Sequence, residues 1–587
     1  PTVPLEADFF MDLGGHSLLA ARFVSIVRET PSLASITLHD LYTHRTLRNL
    51  AVHLRETAKE PAKDLAFEPP PLRRRVLCAL AQLSVLPFLL SISAAQWLAI
   101  FISYTLITPV NASFVDEALS LFGIILSITV STLVLSIAGK WLVIGRTKPG
   151  RYPLWGFYFF RWWLSQRLLG LSNARLLQNS PLMPLYLAAI GARVGRDAQI
   201  SDLEAGAIDL ISIGAGASLG AKLKIANARV EGNELVIGPV EIGADAYIGT
   251  GCVIEEGVFI GDGAALEDLT SLPSGSRVEA NEIWDGSPGR RIGTVDPEAL
   301  EAPAQATIAR RLAVNLVSAA LALFLPIIGL LPIFPAFWAF DTIEAAMKFS
   351  ESEYQYYLAA IPLLAWPTAF VLVLATIALV ALFRWTVLPR AEAGRYSVWS
   401  AFYLRRWAVC LATEVALETL SSLYATLYMR TWYRLMGARI GKGSEIATNL
   451  AGRYDVVALG KNCFIADEVA LGDEDIRRGW MHLKPVWAGD RVFVGNDAVV
   501  PPGAILPSDV LIGVKSKPPA GQKIESGDTW FGSPPILMPA RQKLDSADAA
   551  LTFYPTRLRR IGRAAYEALN ISLPSMLYIT LGTWAVE

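Results

Sequence analysis

The residues best suited to chemistry are few and lie far apart. Ser17 follows Gly14-Gly15-His16 and opens an apolar pattern of Leu18, Leu19, Phe23 and Ile26. The glycine pair turns the backbone and the apolar spacing starts a helix, so the Ser17 hydroxyl stands at a helix N-terminus. Amide donors and the helix dipole at such a place favour a phosphodiester. A plain N-cap serine accounts for Ser17 but not for the pattern around it. His482, in Gly479-Trp480-Met481-His482-Leu483-Lys484, is the sole histidine beyond position 53. Its imidazole titrates near neutrality and can take a proton from an attacking amine or hydroxyl; the alternative is a surface histidine with no task. Asp455, Asp467, Asp473 and Glu474 are possible orienters of the ring. His39, His44 and His53 read as solvated surface residues. Cys78, Cys252, Cys410 and Cys463 form no close pair, so neither a disulfide scaffold nor a metal site is expected.

The elements that must position these residues belong to a membrane protein. Of 587 residues, 53% are hydrophobic and 18% charged, with mean hydropathy +0.39, against about 25% charged in soluble domains. A net charge of −1 gives no reason to expect nucleic acid. The uncharged runs Val76 to Val110, Ala118 to Gly139, Leu312 to Phe340 and Tyr354 to Phe383 are each long enough to span a bilayer as helices, and Ala568 to Val586 forms a fifth. Arg73 to Arg75, Arg146, Lys148, Arg151, Arg310, Arg311, Arg384, Arg390 and Arg395 flank two hairpins whose connecting loops are acidic. Basic flanks put the N-terminus and both large intervening segments in the cytoplasm of a multi-pass cell-membrane protein. The chain opens at Pro1 without a signal peptide and reads as an excerpt of something longer.

An internal repeat organises the remainder. Gly150-Arg151-Tyr152 recurs as Gly394-Arg395-Tyr396, an offset of 244, and Trp284-Asp285-Gly286-Ser287-Pro288 recurs as Trp530-Phe531-Gly532-Ser533-Pro534, an offset of 246. Each unit is a hairpin, an aromatic and basic juxtamembrane stretch suited to the headgroup level or to packing, and a soluble block. In the first block Ile242, Ile248, Ile254, Ile260, Leu266 and Leu272 follow one another at steps of six; the second has Leu459, Ile465 and Leu471, then Val494, Val500, Leu506 and Ile512, around an interruption from Asp473 to Phe493. A period of six is neither helix nor ordinary strand; it builds the flat sides of a triangular parallel β-helix. These hexads resemble the hexapeptide-repeat acyltransferase superfamily, and Trp-x-Gly-Ser-Pro looks like its exit from the coil. The resemblance implies left-handed coils and an acceptor and pantetheine-bearing donor that meet in the cleft between neighbouring coils, here within one chain. Resembling enzymes use a loop histidine as base, the role that falls to His482.

Asp8-Phe9-Phe10-Met11-Asp12-Leu13-Gly14-Gly15-His16-Ser17-Leu18-Leu19-Ala20 closely resembles the carrier signature of nonribosomal peptide synthetases. The resemblance implies 4′-phosphopantetheine carried covalently on Ser17, a phosphopantetheinyl transferase that attaches it, and an upstream adenylation domain that loads an amino-acid substrate. Carrier, hairpins and coils together look like the C-terminal half of the Pls/PosA-type (poly-ε-lysine synthetase-like) membrane synthetases. The expected fold is multidomain: a small α-helical carrier bundle (1–57), a linker (58–75), transmembrane hairpin 1 (76–145), juxtamembrane helices (146–190), β-helix 1 (191–295), hairpin 2 (309–388), juxtamembrane helices (389–436), β-helix 2 (437–545) and the start of a third unit (555–587). The implied activity is acyl transfer that condenses an aminoacyl thioester into a short (iso)peptide homopolymer beside the lipid bilayer, with His482 as base and amides near Gly479 around the oxyanion. Two rivals remain: inert coils that only dock the carrier, with chemistry in a further unit, and a role for the helices in export, which uncharged spans disfavour.

Overall fold

A computed structural model describes the chain except for residues 1–2, 16, 31–32, 34–35, 58–68, 108–112, 173, 348–355, 539–553 and 587. The expected linker therefore lies mostly outside the described residues, as does His16. The carrier is formed by α1 (Ser17–Arg28), α2 (Leu38–Thr43) and α3 (Leu47–Thr57). Phe10, Val24, Ile36, Leu41 and Leu54 are its buried core. Thr37 starts α2 with a capping box, its hydroxyl accepting from the Asp40 amide while the Asp40 carboxylate accepts from the Thr37 amide.

The first hairpin is α4 (Leu72–Ile107) and α5 (Phe114–Val143), the latter capped by Ser113 and Asp116. In the second repeat, α8 (Ile308–Ile328) and α9 (Ile333–Met347) precede α10 (Ile361–Val387). Among the described residues, four helical stretches are long and apolar enough to cross a membrane, with α8 and α9 counted as one. The helix expected unbroken from Leu312 to Phe340 is thus divided around Gly329 and Pro332, where a proline lacks the donor that would continue it. The expected fifth span forms a helix, α13 (Arg557–Val586), but is not among the four. Asn570, Ser572, Pro574 and Ser575 dilute its apolar run, and it packs on α10, with Trp366 donating to Ser572 at 3.0 Å.

Juxtamembrane helices α6 (Phe157–Leu169) and α7 (Leu182–Ala189) introduce the first soluble block; α11 (Ala401–Leu420) and α12 (Leu427–Leu435) introduce the second. For α11 the packing alternative holds, because Tyr403, Arg406 and Trp407 are buried.

Each block is a stack of short parallel strands that visits three sheets in rotation. Ile242 pairs with Ile260 and then Val278, Ile248 with Leu266, and Ile254 with Leu272. The six-residue period therefore places successive aliphatics on three sides of one coil, and every third stacks on its predecessor. All of these side chains are fully buried or nearly so, each contributing about 1.5–3 kcal/mol of transfer free energy. The interruption foreseen in the second block is a two-stranded ribbon, Asp475–Arg477 and Trp480–Leu483, extended by Gly394–Ser397. The first block has its counterpart, Ala228–Glu231 and Glu234–Ile237 beside Gly150–Pro153.

Each block is fastened to its hairpin by the same buried ion pair. Lys140, near the end of α5, donates to Asp209 at 3.0 Å, and the Thr147 amide donates to the same oxygen at 2.6 Å. Arg384, in α10, donates to Asp455 at 2.5 Å, with the Ala391 amide at 2.9 Å.

Candidate functional site: the cleft between the coils

The two coil exits meet. Gly286 has φ +103°, and a Cβ there would stand 2.9 Å from Pro534 Cδ, so only glycine permits this approach. The Ser287 amide donates to the Ser533 carbonyl at 2.8 Å. Lys517 crosses from the second block to Asp285, at 2.6 Å, and to the Asp268 carbonyl, at 2.9 Å. Lys222 crosses the other way to the Glu468 carbonyl, at 2.5 Å, and to its carboxylate. Between these bridges a cavity of about 970 Å³ opens. Its walls carry Glu204, Lys224, Asp285, Arg290 and Arg291 from the first block and Asp497, Lys515 and Phe531 from the second. Behind one wall, burial pushes the Asp268 carboxyl up to about 6, despite the Thr250 amide and Lys517.

The carrier closes the mouth. Thr37, Leu38 and Tyr42 belong to the cavity's lining, and Ile536 and Met538, just past the second exit motif, pack against the carrier core. In front of α1, Gly14 has φ +66°, and a Cβ on Gly15 would lie 2.4 Å from Phe9. Asp8 pins the turn by accepting from the Phe10 and Met11 amides at 2.8 and 3.0 Å. Ser17 is the first residue of α1; its side chain lies outside the described set.

His482 is elsewhere. It sits on the ribbon, opposite Arg395 on one side and Asp475 on the other. Its Nε2 is 3.7 Å from Glu301, which also pairs with Arg395 at 2.9 Å. His482 is absent from the lining of this cavity. The four suggested orienters are also engaged otherwise or apart: Asp455 holds Arg384, Glu474 holds Arg406 and Asp473 holds Arg453. Asp467 lines a different cavity, between the repeats. The ribbon itself reaches the first block, with Arg477 over the Tyr247 ring at 3.6 Å and Arg478 on Asp245 at 3.1 Å. Nor are all the N-terminal histidines simply solvated: His53 lies 3.2 Å from Asp40 and stacks on His44.

Sequence reasoning passed over Lys222, Asp285, Glu468 and Lys517, which join the blocks. Lys222 and Glu468 are related by the offset of 246 that aligns the exit motifs. Equivalent residues in contact are what two parallel coils packed side by side produce, so the repeat comparison carried the signal.

These features define a carrier domain set against repeated hairpin-and-coil units. Residues 1–54 match the family model for a phosphopantetheine attachment site, so the prosthetic group is 4′-phosphopantetheine. The pinned turn before α1 and the amide-rich start of that helix suit it. Over 99% of its length the chain is 37% identical to the delta-poly-L-ornithine synthetase of Acinetobacter baumannii (strain AB307-0294), of which it spans 44%. The resemblance to Pls/PosA-type synthetases read from the sequence is thereby borne out. Among solved structures, the chain is similar to a hexapeptide-repeat acetyltransferase from Vibrio cholerae O1 biovar eltor complexed with acetyl coenzyme A (16% identity, TM-score 0.18, 21% of this chain and 83% of that one). A galactoside acetyltransferase in complex with coenzyme A also matches (16% identity, TM-score 0.17, 21% and 78%).

Proposed function

We propose that the chain is the carrier and acyl-transfer part of a membrane-bound synthetase that joins amino acids into a homopolymer, and that transfer takes place in the cleft between the two coils. The observation that carries this reading is the carrier docked over the cleft through α2, Ile536 and Met538. On this reading the coils are left-handed, the blocks face the cytoplasm, Ser17 anchors the prosthetic arm, and an adenylation domain of the same synthetase loads it. When bound, phosphopantetheine supplies a thiol that holds an acyl group as a reactive thioester.

The chain's own residues do the rest. Gly14 and Gly15 present the start of α1, and the carrier surface around Tyr42 covers the cavity and limits water. Lys224, Lys515, Arg290 and Arg291 line the mouth beside Glu204, Asp285 and Asp497, so the cations that would take a phosphodiester stand among carboxylates. Acceptor amines enter the same enclosed space, where proximity replaces a bimolecular encounter. The reading gives His482 no proton to move.

Ile536→Asp places a charge against the carrier core and separates docking from loading. In the complete protein, intact mass should show Ile536→Asp carrying the prosthetic group like wild type, while Ser17→Ala carries none. Polymer formation should fall by about 10²-fold or more in Ile536→Asp, as expected when reactants lose their held geometry. Full polymer yield from Ile536→Asp would remove the cleft from the account.

A further inference from the structure

The two repeats treat the end of their hairpins differently. At an offset of 244, Trp141, Arg146, Tyr158 and Arg161 of the first repeat become Trp385, Arg390, Phe402 and Arg405 of the second. Both tryptophans are anchored alike: Trp141 donates to the Ala189 carbonyl and Trp385 to the Leu435 carbonyl, each at 2.9 Å. In the first repeat two more of the set are tied down. Arg161 donates to the Val143 carbonyl, at the end of α5, at 2.7 Å, and the Tyr158 hydroxyl accepts from the Lys148 amide at 3.1 Å. In the second repeat Phe402 has no hydroxyl to offer. Neither Arg390 nor Arg405 forms an ion pair or side-chain hydrogen bond among the described residues.

A hollow of about 420 Å³ opens there, walled by the apolar end of α10 and by Trp385, Phe402, Arg390 and Arg405. Both arginines are exposed, and no carboxylate belongs to the lining. An arginine keeps its charge at any physiological pH, so two of them in one hollow without a counter-charge suit an anion, phosphate above all. Arg405 lies near the start of α11, where amides and the helix dipole add to the positive potential. Position and the apolar wall narrow the choice. The hollow lies where the span Leu358–Val387 ends, which is the level at which a bilayer passes from hydrocarbon to headgroups. Trp385 is 44% exposed there, as tryptophans at a membrane interface are. A free inorganic anion would have no use for Trp385, Val387 and Phe402; an amphiphile would.

We propose that this hollow binds the phosphodiester headgroup of an anionic membrane phospholipid. Arg390 and Arg405 clamp the phosphate, and Trp385 and Phe402 lie beside its glycerol and first acyl carbons. The site belongs to the second repeat alone, because in the first the equivalent arginine is spent on the Val143 carbonyl. It also shares a wall with the joint between span and coil: Arg384, which holds Asp455, lies over the Trp385 ring at 4.1 Å. The assignment is independent of where acyl transfer takes place.

Native mass spectrometry of the full chain in a neutral detergent tests it, with dioctanoyl phosphatidylglycerol and dioctanoyl phosphatidylcholine as titrants. The first phosphatidylglycerol should bind about ten-fold more tightly than the first phosphatidylcholine, and Arg390→Gln and Arg405→Gln should each erase most of that preference. Both arginines are exposed, so the variants should unfold at the wild-type temperature in detergent alone. Arg146→Gln, the equivalent change in the first repeat, should keep the preference; an equal loss there would trace it to diffuse basic charge and overturn the site. Displacement of the lipid by an excess of inorganic phosphate would mark a site for free anions and overturn the lipid assignment. Equal binding of the two lipids, or a preference that survives both substitutions, would do the same.

Discussion

His482 is the residue on which local pattern and three-dimensional placement part company. Its lone occurrence inside the interrupting segment marks it as a candidate base, yet it stands 3.7 Å from Glu301 and opposite Arg395 on a ribbon outside the lining of the cleft. His482→Ala should therefore change polymer formation by no more than about three-fold, the range of a surface substitution, measured as product per loaded carrier. A loss of about 10²–10⁴ would restore the general-base role. Ser17 was legible for the opposite reason. Its signature is local, fixed by Gly14, Gly15 and the apolar start of α1, and local backbone rules read directly off the sequence. Lys222 and Glu468 were not legible, because each finds its partner in the other repeat, 246 positions away.

At the scale of elements, the six-residue period translates into coil geometry with little left over, since Ile242, Ile248 and Ile254 each stack on the residue one full turn ahead. The helix tally translated less well. A long apolar run specifies burial in lipid or protein but not continuity, so it leaves open the break between α8 and α9 and the packing of α13 on α10. The matched ion pairs Lys140–Asp209 and Arg384–Asp455 join helix to coil in both repeats. Asp455→Ala leaves Arg384, 1% exposed, without its counter-charge, and should cost about 3–5 kcal/mol in unfolding measured in detergent. Asp509→Ala breaks an exposed pair with Arg491 and should cost at most about 1 kcal/mol. Equal effects of the two would show that Arg384–Asp455 does not fasten the helix to the block.

For the whole molecule, duplication creates the site. One coil offers a wall; two coils, brought together at Gly286 and Ser533 and bridged by Lys517 and Lys222, enclose a chamber that the carrier can cover. The same juxtaposition forms the acidic cavity next to it. Each hairpin holds its own coil through its buried pair, and α11 reaches across to the first repeat through Tyr403 and Trp407. Photolabelling offers the most direct test of transfer in the cleft. A phosphopantetheine analogue ending in a diazirine, attached to the full-length protein by a phosphopantetheinyl transferase, would be irradiated and the labelled peptides mapped by mass spectrometry. The account predicts labels on the cleft walls, around Ser271 to Arg291 and Lys515 to Ile536; labels confined to the ribbon around His482 and Glu301, with the walls unmarked, would contradict it.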